Sequence, residues 1–310
     1  MALMRTVTQD ELGGPEVLQV VEVERPEPGA AEVLVRVHAA AVNPADTKTR
    51  ATGGLRGLKP PFRLGWDVSG TVEAVGVGVR IHKVGDEVYG MPRFPHFAGG
   101  FSEYVTAPAR HFAPKPANLS HTEAAALPLA ALTAHQALVD IADVQAGQRV
   151  LVIAAAGGVG HLAVQIAKAK GAYVIGTASA AKHEYVRSLG ADQVIDYTAK
   201  DFTEGLRDLD IVIDPIGGDY AAKSASVLKD GGHLMSIMPG ELSEAEQRRV
   251  RSGFMLVEPD LGALQSITAL VEAGKVTPTV SETYPLEEIA KAHASMETGR
   301  TIGKIVVTVV

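Results

Sequence analysis

Residues 150–170 read VLVIAAAGGVGHLAVQIAKAK, and this stretch decides the fold. Residues 150–153 are apolar without polar alternation, which predicts a strand covered on both faces. The mostly small residues 154–160 lead directly into a segment whose apolar side chains recur at helical spacing. Gly171 follows as a helix stop signal. The stretch therefore predicts a strand, a tight turn and a helix in direct succession.

The same order of strand and helix continues toward the C-terminus. Further apolar runs at residues 173–175, 194–195, 211–213 and 234–237 are separated by segments of helical character. This order is typical of parallel strands joined by helical crossovers, so it predicts an α/β fold with a doubly wound, Rossmann-type sheet over residues 121–258. Ser120, with Glu123 three residues later, predicts a capped helix that begins this domain and continues to residue 139.

The first 120 residues have a different texture. Short strand candidates, such as residues 33–37 and 68–75, are separated by closely spaced glycines, which favour a small and strongly bent β-barrel. Near the C-terminus a predicted helix, Leu261–Glu272, precedes residues 304–310, which resemble the N-terminal strands in composition. We therefore expect a discontinuous barrel domain made of residues 1–120 and 259–310.

Composition narrows the range of functions. The chain has 310 residues with 36 acidic and 29 basic side chains, and its net charge of −7 argues against nucleic acid as a partner. The absence of cysteine excludes disulfides, thiolate nucleophiles and cysteine-ligated zinc sites. No apolar stretch approaches the roughly 20 residues that span a bilayer, and the first residues lack the apolar core of a signal peptide. We expect a cytoplasmic protein with no membrane segment.

The turn at residues 154–160 is predicted to bind a dinucleotide. Its small residues, which include Gly157, Gly158, Val159 and Gly160, let a pyrophosphate approach the N-terminus of the following helix. NAD-binding folds usually place an acidic residue after the second strand, but residues 176–182 read GTASAAK. The acidic residue that would bind an unmodified ribose is therefore missing from the expected place.

A phosphate on that ribose would meet a hydroxyl from Ser179 and the ammonium of Lys182, with Thr177 just before them. The first carboxylate after the strand is Glu184. This arrangement favours NADPH over NADH. The alternative is that Ser179 caps the next helix and that Lys182 is solvated.

Residues 157–168, GGVGHLAVQIAK, resemble the helix-opening signature of the medium-chain dehydrogenase/reductase superfamily, in its zinc-independent quinone oxidoreductase branch. Further blocks resemble the family in the family's order: AVNPAD at 41–46, GWDVSGTV at 65–72, VGDEV at 84–88, LTA at 132–134, LGAD at 189–192 and GKIV at 303–306. The resemblance covers essentially the whole chain. It implies a chaperonin-10-like β-barrel domain joined to a Rossmann domain, with the active site in the cleft.

The resemblance also implies the surroundings of the cofactor. Ser179, Lys182 and Tyr197 resemble the residues that commonly surround the 2′-phosphate in this branch. Other positions are implied near the nicotinamide or along the cofactor: Thr133, Ile216, Ile237, Met238 and residues 254–257, which run from Phe254 to Val257. A homodimer through a Rossmann edge strand around residues 234–237 is expected by the same resemblance.

Zinc-dependent relatives hold a catalytic zinc with a cysteine, a His-Glu pair and a third ligand. Asn43 stands where the cysteine would be, Trp66 and Asp67 replace His-Glu, and Leu129 is near the third place. The resemblance therefore implies that no catalytic zinc forms. Without a Lewis acid, an acceptor that is already electron-poor needs the least help, which favours quinones or conjugated carbonyls over alcohols.

Three residues are candidates for catalysis. Asn43 is predicted to donate a hydrogen bond to the developing oxyanion, or alternatively to tie the loop before Pro44. Asp46 is predicted to orient this loop, and Trp66 is either a wall of the site or core. A tyrosine common in the branch is replaced by Lys48, which places a tyrosine proton donor in doubt.

Two classes of function remain open. The first is an NADPH-dependent reductase of quinones, with reduction of the C=C bond of enones as the alternative. The second is a non-catalytic NADPH-binding protein.

Overall fold

A computed structural model describes residues 2–54 and 57–310, and the chain divides into two compact units. The first unit comprises Met1–Leu132, Glu258–Glu272 and Pro278–Val310, and the second comprises Thr133–Val257 and Ala273–Thr277. Each unit is built around its own large sheet.

The strands are β1 (Leu3–Thr8), β2 (Gln19–Glu24), β3 (Glu32–Val42), β4 (Asp67–Val75), β5 (Glu87–Gly90), β6 (Tyr104–Pro108), β7 (Phe112–Pro114), β8 (Arg149–Val152), β9 (Tyr173–Ala178), β10 (Gln193–Asp196), β11 (Leu209–Asp214), β12 (Leu228–Ser236), β13 (Arg251–Phe254), β14 (Val280–Pro285) and β15 (Lys304–Thr308). The α-helices are α1 (Pro44–Thr52), α2 (His121–Ala125), α3 (Pro128–His135), α4 (Gly160–Ala169), α5 (His183–Ser188), α6 (Tyr220–Val227), α7 (Glu244–Arg249), α8 (Leu261–Glu272) and α9 (Ile289–Glu297).

The sheet of the first unit has the order β14-β15-β3-β4-β5-β7, with β6 paired to β3. The glycine at position 70 allows β3 and β4 to approach closely, because a Cβ atom there would lie only 2.0 Å from the Arg36 carbonyl oxygen. β15 pairs antiparallel with β3, so the end of the chain belongs to the same sheet as the N-terminal strands. In the two longest strands of this sheet, Asn43 directly follows β3 and Trp66 directly precedes β4.

The first unit continues to Leu132, beyond the expected boundary at residue 120. α2 packs against β3, β4 and β15, and its Ala125 is buried with Ala39, Ala41 and Val306. Ser120 caps α2 as predicted, with Glu123 completing a capping box. The single helix expected up to residue 139 is wrong, because Pro128 begins a new helix and Gln136–Ile141 form a π-helical turn.

The sheet of the second unit is entirely parallel, in the order β10-β9-β8-β11-β12-β13. Numbered from β8, this is the 3-2-1-4-5-6 order of a doubly wound nucleotide-binding sheet, and it confirms the predicted fold class. The order reverses between β8 and β11, where such sheets bind ligands at the carboxyl ends of the strands.

The predicted edge strand around residues 234–237 is wrong. β12 pairs with β13 on its outer side, and Leu234 is buried in the core of the unit. β13 is the edge strand on this side of the sheet, and β10 is the edge strand on the other side. The sequence of β13, RSGF, is exposed along its whole length, so no apolar run marked it as a strand.

Among the helices of the described residues, none combines the length and the apolar character that crossing a bilayer requires.

Candidate functional site

The turn between β8 and α4 has a shape that its residue types dictate. Ala154 adopts φ +52°, and the next amide, Ala155 N, donates to the Thr177 carbonyl oxygen at 2.9 Å. A Cβ atom at Gly160 would lie 2.2 Å from the Ala154 carbonyl oxygen, so only glycine allows α4 to begin this close to the strand. The turn therefore brings the N-terminus of a ten-residue helix to the switch point of the sheet.

This geometry fits a dinucleotide pyrophosphate. Gly157, Gly158 and Val159 lie between the strand and α4, and the helix N-terminus offers backbone amides and the positive end of its dipole. The Gly157 amide itself donates to the Ala154 carbonyl oxygen at 2.9 Å, and it thereby holds the turn.

Thr177 is hydrogen-bonded to the glycine turn. It is buried, and its Oγ1 accepts a hydrogen bond from the Ala154 amide at 3.1 Å. Thr177 thus fixes the glycine turn from the neighbouring strand.

The carboxyl ends of β9 and β10 lead to three of the predicted residues, Ser179, Lys182 and Tyr197. Asp196 pairs with Ala178, so Tyr197 and Ser179 leave β10 and β9 at neighbouring positions. Ser179 begins a 3₁₀ turn, Ala180–Lys182, and its side chain makes no capping hydrogen bond there. Lys182 is partly buried, which lowers the pKa of its ammonium, and Tyr197 is half exposed.

Asp196 is the last residue of β10 and lies beside these residues. Its spacing along the sequence did not identify it as an acidic residue of this site. Its Oδ1 accepts hydrogen bonds from the Thr198 amide at 2.9 Å and the Thr198 hydroxyl at 2.6 Å. These bonds lower the pKa of Asp196. Oδ1 is therefore bonded within the turn that follows β10. The parallel register of β9 and β10 was the signal that could have located Asp196.

The carboxyl ends of β11 and β12 carry the residues expected near a nicotinamide. Ile216 follows β11 and is half exposed, whereas Ile237 and Met238 follow β12, and the Ile237 amide donates to the Asp214 carbonyl oxygen at 3.2 Å. Two more of the expected residues differ in exposure: Phe254 is half exposed at the end of β13 and Val257 is buried. Thr133 is buried within α3.

Asp214 is a second acidic residue that sequence reasoning missed. Its Oδ1 accepts from the amides of Ile216 at 2.9 Å and Gly217 at 3.0 Å. Its Oδ2 is buried without a hydrogen-bond partner among the described residues, and burial raises the pKa of Asp214. Asp214 therefore shapes the loop that carries Ile216.

Asn43 lies in a buried polar network of the first unit. Its Nδ2 donates to Asp67 Oδ2 at 2.9 Å, and its Oδ1 accepts from the Lys304 ammonium. The side chain is only 2% exposed. Both the nitrogen and the oxygen of the amide are hydrogen-bonded inside the unit, so the role of oxyanion donor predicted for Asn43 does not fit this geometry. The alternative role, in which Asn43 ties the loop before Pro44, does fit it.

Asp46 holds the other side of the same loop. Its Oδ2 accepts from the Asn43 amide at 2.9 Å, its Oδ1 accepts from the Gly65 amide at 3.0 Å, and it forms a capping box at the start of α1. Burial, with the nearby Asp67 carboxylate, raises the pKa of Asp46 to about 7. Asp46 thus connects the loop before α1 to the segment that carries Trp66.

The contribution of Asp46 to stability is expected to fall as the pH rises toward neutrality. Its pKa is about 7 in the folded chain and about 3.9 in an unfolded one, so between these values the folded chain holds one more proton. The contribution is complete below the unfolded pKa and is lost as the pH passes through the folded pKa, with a slope of about −1.4 kcal/mol per pH unit. Urea unfolding at several pH values measures it.

The Asp46→Asn variant provides the reference for this slope. Histidines contribute equally to both proteins, so the difference in unfolding free energy between wild type and variant isolates Asp46. A difference that stays flat between about pH 4.5 and 6.5 would contradict the raised pKa.

Trp66 is core and also anchors a neighbouring segment. It is buried, and its Nε1 donates to the His96 carbonyl oxygen at 2.9 Å. The Phe94 ring meets the indole edge to face, with 5.3 Å between centroids. Trp66 therefore anchors the segment of residues 91–97 through Phe94 and His96.

Two family models match the chain. The alcohol dehydrogenase GroES-like domain matches residues 29–117, and the zinc-binding dehydrogenase model matches residues 189–307. The donor set does not fit a zinc ion, because the chain has no cysteine and the described residues contain no group of three or more acidic or histidine side chains placed to hold a metal. Instead, the Lys304 ammonium lies at Asn43 and Asp67.

Individual relatives cover most of the chain. The human quinone oxidoreductase is 32% identical and covers 95% of this chain and 94% of its own, and the Arabidopsis thaliana NADPH-dependent alkenal/one oxidoreductase is 36% identical and covers 98% and 79%. The quinone oxidoreductase structure from Coxiella burnetii superposes with a TM-score of 0.92 at 37% identity over both whole chains. The chain is therefore an oxidoreductase that belongs to the medium-chain dehydrogenase/reductase superfamily, in its quinone oxidoreductase branch.

Proposed function

We propose that this protein is an NADPH-dependent reductase that transfers a hydride to a quinone without a metal ion. The proposal rests on the residues that follow β9 and β10 in the sheet of the second unit. There a dinucleotide-binding turn stands beside a strand end that offers the Ser179 hydroxyl and the Lys182 ammonium, and Asp196, the last residue of β10, is bonded to Thr198.

NADPH fits this site better than NADH does. A 2′-phosphate carries more negative charge than a hydroxyl, and an ammonium in a partly buried place forms a strong charge-assisted hydrogen bond with it. An NAD ribose would lack the carboxylate partner that usually accepts its 2′-hydroxyl. The alternative role of Ser179 as a helix cap receives no support from its side chain, which makes no cap bond in the 3₁₀ turn.

The proposed class of acceptor follows from the means of catalysis in this proposal, which do not include a metal ion. When bound, the reduced nicotinamide supplies the hydride. Asn43, Asp46 and Trp66 are proposed to act by holding the loop before α1 and residues 91–97 in place, since each of them is bonded within the protein. Because the protein would promote hydride transfer mainly by orienting the acceptor and excluding water, it suits an acceptor that is already electron-poor, such as a quinone.

Reduction of the C=C bond of an enone is the alternative acceptor chemistry. The relative named as an alkenal/one oxidoreductase is 36% identical to this chain, and the quinone oxidoreductase structure is 37% identical. An enone is also electron-poor, so the same physical argument applies to both acceptors. A non-catalytic role in NADPH binding is the remaining possibility, and the experiment below distinguishes all three.

The test is the rate of absorbance loss from NADPH, and separately from NADH, with chelator-treated protein and a panel of quinones and enones. We expect turnover with NADPH and a quinone that chelator leaves unchanged. Preference for an enone would move the assignment to C=C reduction. Tight NADPH binding without turnover of any acceptor would overturn the proposal in favour of a binding role.

We also propose a homodimer through β13. The strand is an exposed sheet edge that ends in the half-exposed Phe254, and such edges readily pair with a second copy of the chain. Sedimentation equilibrium is expected to give twice the monomer mass of 32.5 kDa. A monomer at micromolar concentration would contradict this arrangement.

A further inference from the structure

Lys304 is a lysine whose ammonium lies in the interior of the first unit. Its side chain is 2% exposed, and its Nζ donates to Asp67 Oδ2 at 3.0 Å and to Asn43 Oδ1. Asp67 is fully buried, and its other oxygen accepts from the Leu129 amide at 2.6 Å. The ammonium therefore has an anionic and a neutral oxygen as partners.

The network joins parts of the chain that are far apart in sequence. Lys304 begins β15, Asp67 begins β4, Asn43 lies between β3 and α1, and Leu129 lies in the first turn of α3. A buried charge is tolerated only when it is paired and hydrogen-bonded, so each member depends on the others. The ammonium is the only positive charge that hydrogen-bonds to Asp67 among the described residues.

We propose that Lys304 is an internal cation that takes the place of a bound metal ion at this position of the fold. It neutralises Asp67, fixes the orientation of the Asn43 amide and closes the position to Zn²⁺. Asn43, Asp67 and Leu129 are at or beside the three places where the family resemblance puts zinc ligands, and all three belong to the hydrogen-bond network of this ammonium. The inference does not depend on the acceptor or on the cofactor.

The test is a charge cycle in the full-length protein. Lys304→Met keeps most of the volume and removes the charge, and it is expected to lower the Tm by about 10 °C because Asp67 is left as an unpaired buried carboxylate. The double variant Lys304→Met with Asp67→Asn lacks both charges of the pair. At least half of the decrease in Tm is expected to be recovered in it. A packing role would not produce this recovery, since the same methionine fills the site in both proteins.

Lys168→Met is the matched control. Its ammonium also pairs with an aspartate, Asp192, at 2.9 Å, but both side chains are about one-third exposed, so its Tm is expected to change by only a few degrees. A Lys304→Met variant as stable as wild type, or a double variant no better than Lys304→Met, would overturn the proposal. If Lys304→Met does not fold, a folded double variant supports the proposal and an unfolded one overturns it.

Zinc analysis gives an independent answer. Wild-type protein that has been incubated with Zn²⁺ and then dialysed is expected to hold no stoichiometric zinc. One zinc per chain that Asp67→Asn abolishes would mean that the ammonium yields to the metal, and it would overturn the proposal.

Discussion

Replacing Gly160 with alanine is expected to weaken NADPH binding by about 10- to 100-fold and to lower stability by about 1–3 kcal/mol. The added Cβ would lie 2.2 Å from the Ala154 carbonyl oxygen and 2.8 Å from Ala155 Cα. Both atoms belong to the backbone, so the turn or the start of α4 must move. Such a shift would cost about one charge-assisted hydrogen bond between a backbone amide and the pyrophosphate, about 1.5–3 kcal/mol, or one to two orders of magnitude in the dissociation constant. Fluorescence titration with NADPH and thermal unfolding measure the two effects.

Gly157→Ala is the matched control in the same turn. Its Cβ would approach the Ala154 carbonyl oxygen only to 3.3 Å, a contact that a small shift relieves. We expect little change in the Tm of this variant, so any loss of NADPH affinity would come from crowding of the pyrophosphate. If Gly160→Ala binds NADPH as tightly as wild type, then the close approach of α4 to the strand does not serve cofactor binding.

The sequence predicted those elements that a contiguous stretch of residues is enough to identify. The apolar runs and the small-residue turn located β8, the glycine turn and α4, and the whole of Leu261–Glu272 was predicted as a helix. β13 was not predicted because its four residues are exposed and only Phe254 is apolar, so it has no periodicity to detect. Its place as the edge strand results from pairing with β12, which is a tertiary contact.

The functional residues show the same limit. The glycine turn is contiguous, whereas the partner of Asn43 is Lys304, which is 261 residues away. No spacing rule relates two such positions, and only the antiparallel pairing of β3 with β15 brings them together. The hydrogen bond from the Ala154 amide to Thr177 Oγ1 is a similar case, because it joins the glycine turn to the neighbouring strand and no sequence pattern shows it.

Replacing Lys182 with alanine is expected to weaken NADPH binding by 10- to 100-fold and to leave NADH binding almost unchanged. A charge-assisted hydrogen bond between an ammonium and a phosphate contributes about 1.5–3 kcal/mol, which corresponds to one to two orders of magnitude in the dissociation constant. NADH has no 2′-phosphate, so it has nothing to lose at this position. Titrations with both cofactors at the same ionic strength measure the difference.

Lys170→Ala is the control for a general effect of charge, because Lys170 is exposed at the opposite end of α4 from the glycine turn. It removes the same charge from the same unit, and we expect no change in the affinity for either cofactor. The wild-type preference for NADPH should also decrease as salt rises, since ions screen a partly exposed ammonium and phosphate. Equal losses for NADPH and NADH in Lys182→Ala would show that the lysine supports the turn after β9 in general, and the proposed recognition of the 2′-phosphate would then be wrong.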